Sequence, residues 1–238
     1  MIRSQEALER LGSQAGVWTQ RWSAQAPSVE NLACAELVVG VDEAGRGALI
    51  GPVACGAVLL DPARSIVGLG DSKKLTEKRR AQLFTQITDQ ALASCLVLID
   101  AKVIDRINIL QATLLGMKIA VEGVQHELQE NPALRHIEPS LVRIDGNRAP
   151  ELSLPSVTEV KGDARFEEVS AASIVAKVGR DCFMEYLSGQ VADYDLKKHK
   201  GYPTKAHMDE LCAYGPTAYH RKSFAPVAKA LCELVGSP

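Results

Sequence analysis

Short apolar runs alternate with amphipathic stretches along most of this chain, and this alternation constrains the fold more than any other feature. The runs are rich in β-branched and other apolar residues and are bounded by glycine, proline or charged residues; they lie at residues 36–42, 52–60, 94–101, 141–145 and 156–160. Runs of this length between turn residues are typical of β-strands. The sequence therefore predicts about five strands.

Helical periodicity fills the intervals between these runs. Residues 76–90 have a helical pattern, and a longer apolar stripe recurs every three or four residues at Ile107, Leu110, Leu114, Met117, Val121, Val124 and Leu128. Such a stripe packs one face of a helix into a core. Strands mixed with helices in this order predict an α/β fold with a sheet of about five strands. Beyond residue 163 the pattern becomes mainly helical, with shorter helices expected near 205–213 and 225–235.

The first 35 residues look different from the rest of the chain. They are prone to form helix, carry both tryptophans, Trp18 and Trp22, and are interrupted by Pro27. We expect an N-terminal extension at 1–35, a catalytic core at 36–190 and a C-terminal helical region at 191–238.

Composition restricts the partners and the compartment. Lys and Arg number 27 against 29 Asp and Glu, so a nucleic acid must be held by a local patch of charge. The longest uncharged stretch, residues 47–60, is shorter than the roughly 20 apolar residues of a membrane helix. The charged N-terminus does not resemble an export signal. The six cysteines include no C-x-x-C pair and are typical of reduced thiols, so a cytoplasmic location is expected.

Acidic residues end two of the predicted strands. Asp42 and Glu43 close the first, and Asp145 closes the fourth; Asp163 precedes the long C-terminal helix. Taken alone, each acid is better explained as a cap or turn residue. If the strands are neighbours, these oxygen ligands converge, and they suit hard cations such as Mg²⁺ or Mn²⁺. Two such ions could support phosphoryl displacement.

A glycine-rich segment follows the first pair of acids. Gly45, Arg46 and Gly47 permit close approach of the backbone, and one guanidinium suits a phosphate or a sugar edge. This tripeptide also occurs often by chance. It is not a P-loop, since no Gly-Lys-Ser/Thr follows, which argues against nucleotide triphosphate hydrolysis.

Basic and aromatic residues are interleaved between residues 195 and 222. Such a surface can hold phosphates and stack on sugars or bases, although a solvated charged loop has the same composition. Lysines in this segment are candidate phosphate contacts: Lys198, Lys200 and Lys205. Lys73 and Lys74 in an earlier loop are similar candidates, although two lysines in a loop commonly serve only solubility.

Seven motifs in order along the chain resemble bacterial ribonuclease HII, the type 2 ribonuclease H. They are VDEAGRGALIGPV at 41–53, DSKKL at 71–75, INILQATLLGM at 107–117, RIDGN at 143–147, KGDA at 161–164, SAASIVAKVGRD at 170–181, and HKGYPTKAH with HRKSFAPV at 199–207 and 220–227. The resemblance implies a ribonuclease H-like mixed sheet flanked by helices and a helical C-terminal substrate-binding region. Ala48 departs from the family, which usually has proline there, and Glu167 and Glu168 add acids after Asp163.

The same resemblance assigns roles to individual residues. It implies that the four acids bind the metal ions, that residues 45–47 contact the 2′-hydroxyl region of a ribonucleotide through backbone groups, and that Tyr202 stacks on the sugar at an RNA–DNA junction.

The implied function is metal-dependent cleavage of the RNA strand of RNA/DNA hybrids, with a cut 5′ to ribonucleotides embedded in duplex DNA that leaves 3′-hydroxyl and 5′-phosphate ends. Two Mg²⁺ or Mn²⁺ ions, a monomeric enzyme and no membrane partner are expected; contact with a replication factor through a terminal segment is left open. Two alternatives remain at this point. One is a nuclease of the same fold that acts on DNA alone, and the other is a non-catalytic nucleic-acid binding protein.

Overall fold

A six-stranded mixed sheet lies at the centre of the part of the chain described by this computed structural model, residues 16–24, 36–70 and 75–235. Its strands are β1 (Val17–Ser23), β2 (Val38–Ala44), β3 (Val53–Leu59), β4 (Ala93–Ile99), β5 (Leu141–Asp145) and β6 (Ser156–Glu159). They are arranged in the order β1-β4-β3-β2-β5-β6. The pairs β1–β4, β4–β3 and β3–β2 are antiparallel, whereas β2–β5 and β5–β6 are parallel.

Helices cover both faces of the sheet and form the C-terminal region. They are α1 (Glu77–Gln90), α2 (Ala101–Glu130), α3 (Glu167–Ser188), the single turn α4 (Leu196–His199), α5 (Lys205–Tyr214) and α6 (Ala225–Val235). A short 3₁₀ turn, Gly162–Ala164, precedes α3. The α/β class, the five predicted strands and the helical C-terminal region are confirmed.

The sixth strand corrects the prediction for the N-terminal segment. Residues 17–23, expected to be part of a helix-prone appendage, form β1 and pair with β4 along its whole length. Trp18 and Trp22 point to the same face of β1. Trp18 is buried, and Trp22 contacts Phe84 edge-on. Their separation of four residues suits one face of a strand as well as one face of a helix. The rest of the predicted extension lies outside the described residues.

The helix α2 fills one face of the sheet. Met117, Val121, Val124 and Leu128 of the predicted stripe are buried in a core shared with β2 to β5. The helix bends at Asn108, whose φ is 67° and whose side chain accepts a hydrogen bond from the backbone N–H of Gln111. In length and composition α2 could span a membrane; here its apolar face packs on the sheet.

The helix α3 lies unusually close to the opposite face. A Cβ at Gly40 would lie 2.1 Å from the carbonyl carbon of Glu168, and one at Gly56 would lie 2.4 Å from the carbonyl oxygen of Ala172. Only glycine at these positions lets the helix backbone rest on β2 and β3. The first turns of α3 are thereby placed beside the carboxyl end of β2, where Asp42 lies.

Candidate active site

Asp42 is a buried carboxylate between the sheet and α3. The residue is 4% exposed, its side chain forms a hydrogen bond with Ser173 of α3, and its Oδ1 accepts one from the backbone N–H of Glu43. Burial raises the pKa of Asp42 well above the ordinary aspartate value, and the negative charge of Glu43 raises it further. The charge of Asp145 acts in the same direction.

Asp145 lies at the end of the neighbouring parallel strand. Val41 of β2 is in register with Ile144 of β5, so Asp42 and Asp145 are the next residues along the two strands. The Oδ1 of Asp145 accepts a hydrogen bond of 2.7 Å from the backbone N–H of Gly162. Asp163, buried at 5% exposure, is the next residue of that 3₁₀ turn. The structure thus brings the strand-end acids and the turn that carries Asp163 to one edge of the sheet.

Glu43 is more accessible than Asp42 and contacts the following loop. Its Oε1 lies 3.4 Å from Nη1 of Arg46. Across residues 16–24, 36–70 and 75–235, no three His, Cys, Asp or Glu side chains are already gathered closely enough to hold a metal ion. Joint ligation of an ion by the four acids therefore stays a prediction.

The two additional acids after Asp163 differ in their surroundings. Glu168 pairs with the guanidinium of Arg143, which also lies 4.0 Å from the ring centre of Phe166. Glu167 is exposed at the start of α3. Because Arg143 pairs with Glu168, that charge is balanced locally.

The GRG loop (residues 45–47) leaves β2 beside Glu43. Gly45 is buried with φ of +87°, and a Cβ there would lie 1.9 Å from Nε of Arg180. A Cβ at Gly47, by contrast, would meet nothing within 4 Å. Gly45 is therefore required by packing, whereas Gly47 leaves open space beside the backbone.

Two buried arginines contact the GRG loop and the residues that follow it. Arg180 of α3 donates to the carbonyls of Pro52 at 3.0 Å and Lys200 at 2.8 Å, and Arg221 donates to those of Gly51 at 3.0 Å and Arg46 at 2.8 Å. Both side chains are fully buried. Burial lowers the pKa of each guanidinium, and the charge of Arg180 lowers that of Arg221 further.

The Tyr202 turn (residues 199–204) is joined to the segment that follows the GRG loop. The backbone N–H of Leu49 donates to the carbonyl of Gly201 at 2.8 Å. The half-buried ring of Tyr202 lies 5.3 Å from the guanidinium carbon of Arg180 and 5.9 Å from Nζ of Lys177. Both segments predicted to recognise the sugar thus contact Arg180.

The predicted phosphate-binding lysines differ in their surroundings. Lys198 and Lys205 are exposed, and Lys200 is half-buried with φ of 49°. Lys73 and Lys74 lie outside the described residues.

Comparison with known protein families decides the affiliation. The family model described as ribonuclease HII matches residues 39–227, which is most of the chain. The chain belongs to the ribonuclease HII family. It is accordingly an endoribonuclease of the ribonuclease H type.

Solved structures share the ribonuclease HII fold with this chain. Ribonuclease H2 from Pyrococcus horikoshii OT3 is 26% identical, with a TM-score of 0.63 over 84% of this chain and 100% of that one. RNase HII from Archaeoglobus fulgidus, solved in complex with PCNA, is 24% identical, with a TM-score of 0.57 over 79% of this chain and 95% of that one. Bst-RNase HIII, solved with Mn²⁺, is 19% identical, with a TM-score of 0.60 over 83% of this chain and 70% of that one.

Sequence reasoning about this ribonuclease HII family member missed the residues that support its loops. Ser173 and Arg180 lie within the quoted motif 170–181 and receive no role from the sequence. Arg221 belongs to the basic and aromatic segment 195–222 that was predicted to form a surface, yet it is buried. An arginine embedded in the apolar pattern of α3 was the available signal, because a buried guanidinium needs several acceptors. Its acceptors are backbone carbonyls of distant residues, which side-chain motifs do not reveal.

Proposed function

We propose that this enzyme cleaves the RNA strand of RNA/DNA hybrids and cuts 5′ to single ribonucleotides in duplex DNA, leaving 3′-hydroxyl and 5′-phosphate ends. The observation that carries the proposal is the position of the GRG loop: one residue separates it from Asp42 and Glu43, and Leu49, two residues after the loop, is hydrogen-bonded to the Tyr202 turn. Acids that suit metal-assisted hydrolysis and segments that suit sugar recognition therefore adjoin each other.

The four predicted acids fit divalent cations. Asp42 is buried, and the nearby charges that raise its pKa belong to Glu43 and Asp145. An oxygen-only donor set suits Mg²⁺ or Mn²⁺, and a cation between the carboxylates would relieve their repulsion. We propose that Asp42, Glu43, Asp145 and Asp163 hold two such ions, and the Mn²⁺ found in the Bst-RNase HIII structure supports this choice. Bound ions would lower the pKa of water and stabilise charge on the phosphate.

The protein's own groups would select the sugar. The open space beside Gly47 lets a ribose approach the loop backbone, whose polar groups can pair with a 2′-hydroxyl, the group that distinguishes RNA from DNA. The half-buried Tyr202 ring offers a stacking surface for the adjoining sugar. Exposed Lys198 and Lys205 lie on the segments flanking Tyr202 and would contact phosphates, with Lys200 inside the turn.

The partners and the setting follow from this activity. We propose RNA/DNA hybrids and ribonucleotide-containing duplexes as substrates of a cytoplasmic monomer, consistent with free thiols at Cys55 and Cys95. The complex of the Archaeoglobus neighbour makes a PCNA-type sliding clamp the first replication factor to test for binding.

An end-labelled duplex containing one ribonucleotide tests the proposal. With Mg²⁺ we expect a single product cut at the phosphate 5′ to the ribonucleotide, and chelation should abolish it. A matched all-DNA duplex is the control and should stay intact. Equal cleavage of the all-DNA duplex would indicate a DNA nuclease, and binding without any Mg²⁺-dependent product would indicate a non-catalytic binder.

A further inference from the structure

Three histidines form a buried cluster at the Tyr202 turn, and the proposed chemistry uses none of them. His207 and His220 are 0% and 1% exposed, and His199 stacks on His207 with ring centres 4.2 Å apart. Buried imidazoles normally need partners for both ring nitrogens. The partners in this cluster lead directly to Tyr202.

The backbone at either end fixes the direction of the hydrogen bonds. The N–H of Thr217 donates to Nδ1 of His220 at 3.0 Å, so the proton of a neutral His220 is on Nε2. At the other end, Nδ1 of His207 lies 3.0 Å from the carbonyl oxygen of Tyr202, so His207 carries its proton on Nδ1. The two Nε2 atoms are 3.4 Å apart, with one donor and one acceptor. A continuous chain therefore runs from Thr217 to Tyr202.

The backbone around His220 pairs with the segment that follows the GRG loop. His220 forms an isolated β-bridge with Ile50, and the next residue, Arg221, donates its backbone N–H to the carbonyl of Leu49 at 2.8 Å. The histidine pair thus connects the segment that follows the GRG loop with the carbonyl of Tyr202.

We propose that His207 is a positioning residue whose hydrogen bond to the carbonyl of Tyr202 holds that residue in register with the GRG loop, with His220 orienting the imidazole of His207, so that the enzyme recognises an embedded ribonucleotide. The inference rests on the proposed function, in which Tyr202 stacks on the sugar and the loop contacts its 2′-hydroxyl. It adds a hydrogen bond to Tyr202 from a neutral imidazole, which a second neutral imidazole orients. Burial lowers the pKa of both, which keeps them neutral at pH 7.

Removing this connection should leave the turn folded. The carbonyl of Tyr202 also accepts the backbone N–H of Thr204 at 2.8 Å, and the N–H of Tyr202 donates to the carbonyl of His199 at 2.9 Å. A variant that loses the bond from His207 therefore keeps the turn but holds the ring less tightly.

Two polar substitutions at His207 separate positioning from simple packing. In His207→Asn the amide nitrogen replaces Nδ1 and can still donate to the Tyr202 carbonyl, but the contact with His220 is lost. In His207→Gln the amide replaces Nε2, so the contact with His220 is kept and the bond to Tyr202 is lost. Substitutions of the exposed His136 by Asn and Gln are the matched controls.

The activity measurement compares kcat/KM on a duplex with one ribonucleotide and on a uniform RNA/DNA hybrid. We define the selectivity as kcat/KM on the duplex with one ribonucleotide divided by kcat/KM on the uniform hybrid. We expect His207→Gln to lower this selectivity about fivefold to tenfold, the usual effect of one lost hydrogen bond, and His207→Asn to keep most of the selectivity. Equal losses in both variants, or unchanged ratios in both, would overturn the proposal.

A second readout needs no substrate. The carbonyl ¹³C resonance of Tyr202 should move upfield in His207→Gln and stay near the wild-type value in His207→Asn. If it is unchanged in both, the positioning proposal fails even when cleavage is as proposed. If wild-type enzyme does not cut at the embedded ribonucleotide, the proposed function fails, and this resonance still decides whether His207 holds Tyr202.

Discussion

Substituting alanine for either glycine of the GRG loop should give opposite results. At Gly45 an L-residue would be strained at φ of +87°, and its Cβ would overlap Nε of Arg180. The Arg180 side chain is fully buried, so it cannot turn out into solvent to avoid the overlap. The strain costs about 1–2 kcal/mol. Displacing the guanidinium breaks its bonds to the carbonyls of Pro52 and Lys200, at about 1.5–3 kcal/mol each for a charged donor. We expect Gly45→Ala to lose about 4 kcal/mol or more of unfolding free energy.

Gly47→Ala should leave stability within about 0.5 kcal/mol of the wild type, because the added methyl group meets no atom. The same methyl group would occupy the space in which a ribose approaches the backbone, so kcat/KM on a ribonucleotide-containing duplex should fall at least about tenfold, equivalent to about 1.4 kcal/mol.

Urea-induced unfolding followed by circular dichroism measures the first effect, and cleavage kinetics measure the second. The two variants carry the same chemical change two residues apart, so each is the control for the other. A Gly45→Ala protein as stable as the wild type would refute the steric argument at Arg180. A fully active Gly47→Ala enzyme would refute close approach of the substrate to this loop.

Three further outcomes are expected. Asp42→Asn should reduce cleavage to background while raising the unfolding free energy by about 1 kcal/mol, since a neutral amide removes a buried charge beside Glu43 and Asp145; turnover comparable to the wild type would exclude Asp42 as an essential ligand. Tyr202→Ala should lower selectivity for the RNA–DNA junction more than affinity for the duplex, and equal losses on every substrate would contradict its stacking role. The pKa of His220 is lowered to about 3 by burial, so below about pH 6.5 the unfolded chain binds a proton that the folded chain does not. Urea titrations from pH 7 to pH 5 should show about 2 kcal/mol less stability from this group, and an equal loss in His220→Gln would rule out its contribution.

The strand-end acids were predictable because their position depends on local pattern. A short apolar run that ends in Asp42 places the carboxylate at the end of a strand, and the same holds for Asp145. Parallel pairing of the two strands, which brings the acids together, is a long-range property of the sheet. The residue pattern alone therefore indicated which acids were candidate metal ligands but not that they lie close together. The family resemblance implied their proximity.

The strand β1 and the buried arginines were not predictable in the same way. The segment of β1 contains Gln20 and Arg21 between its two tryptophans, so helix and strand patterns fit it equally well. It becomes a strand because β4 offers a free edge along its full length. Arg180 and Arg221 bind backbone carbonyls, and no side-chain pattern encodes where those carbonyls lie.

One helix sets the spacing between the acids and the recognition loop. Ser173, which bonds Asp42, and Arg180, which supports the GRG loop, are seven residues apart on α3, so they share a face at a separation of about 10 Å along the axis. The glycines at positions 40 and 56 let this helix lie directly on the sheet. A larger residue at either position would move Ser173 and Arg180 together. Cleavage would therefore suffer although neither glycine belongs to the four acids or to the GRG loop, because Asp42 would lose its contact with Ser173 and the loop its contact with Arg180.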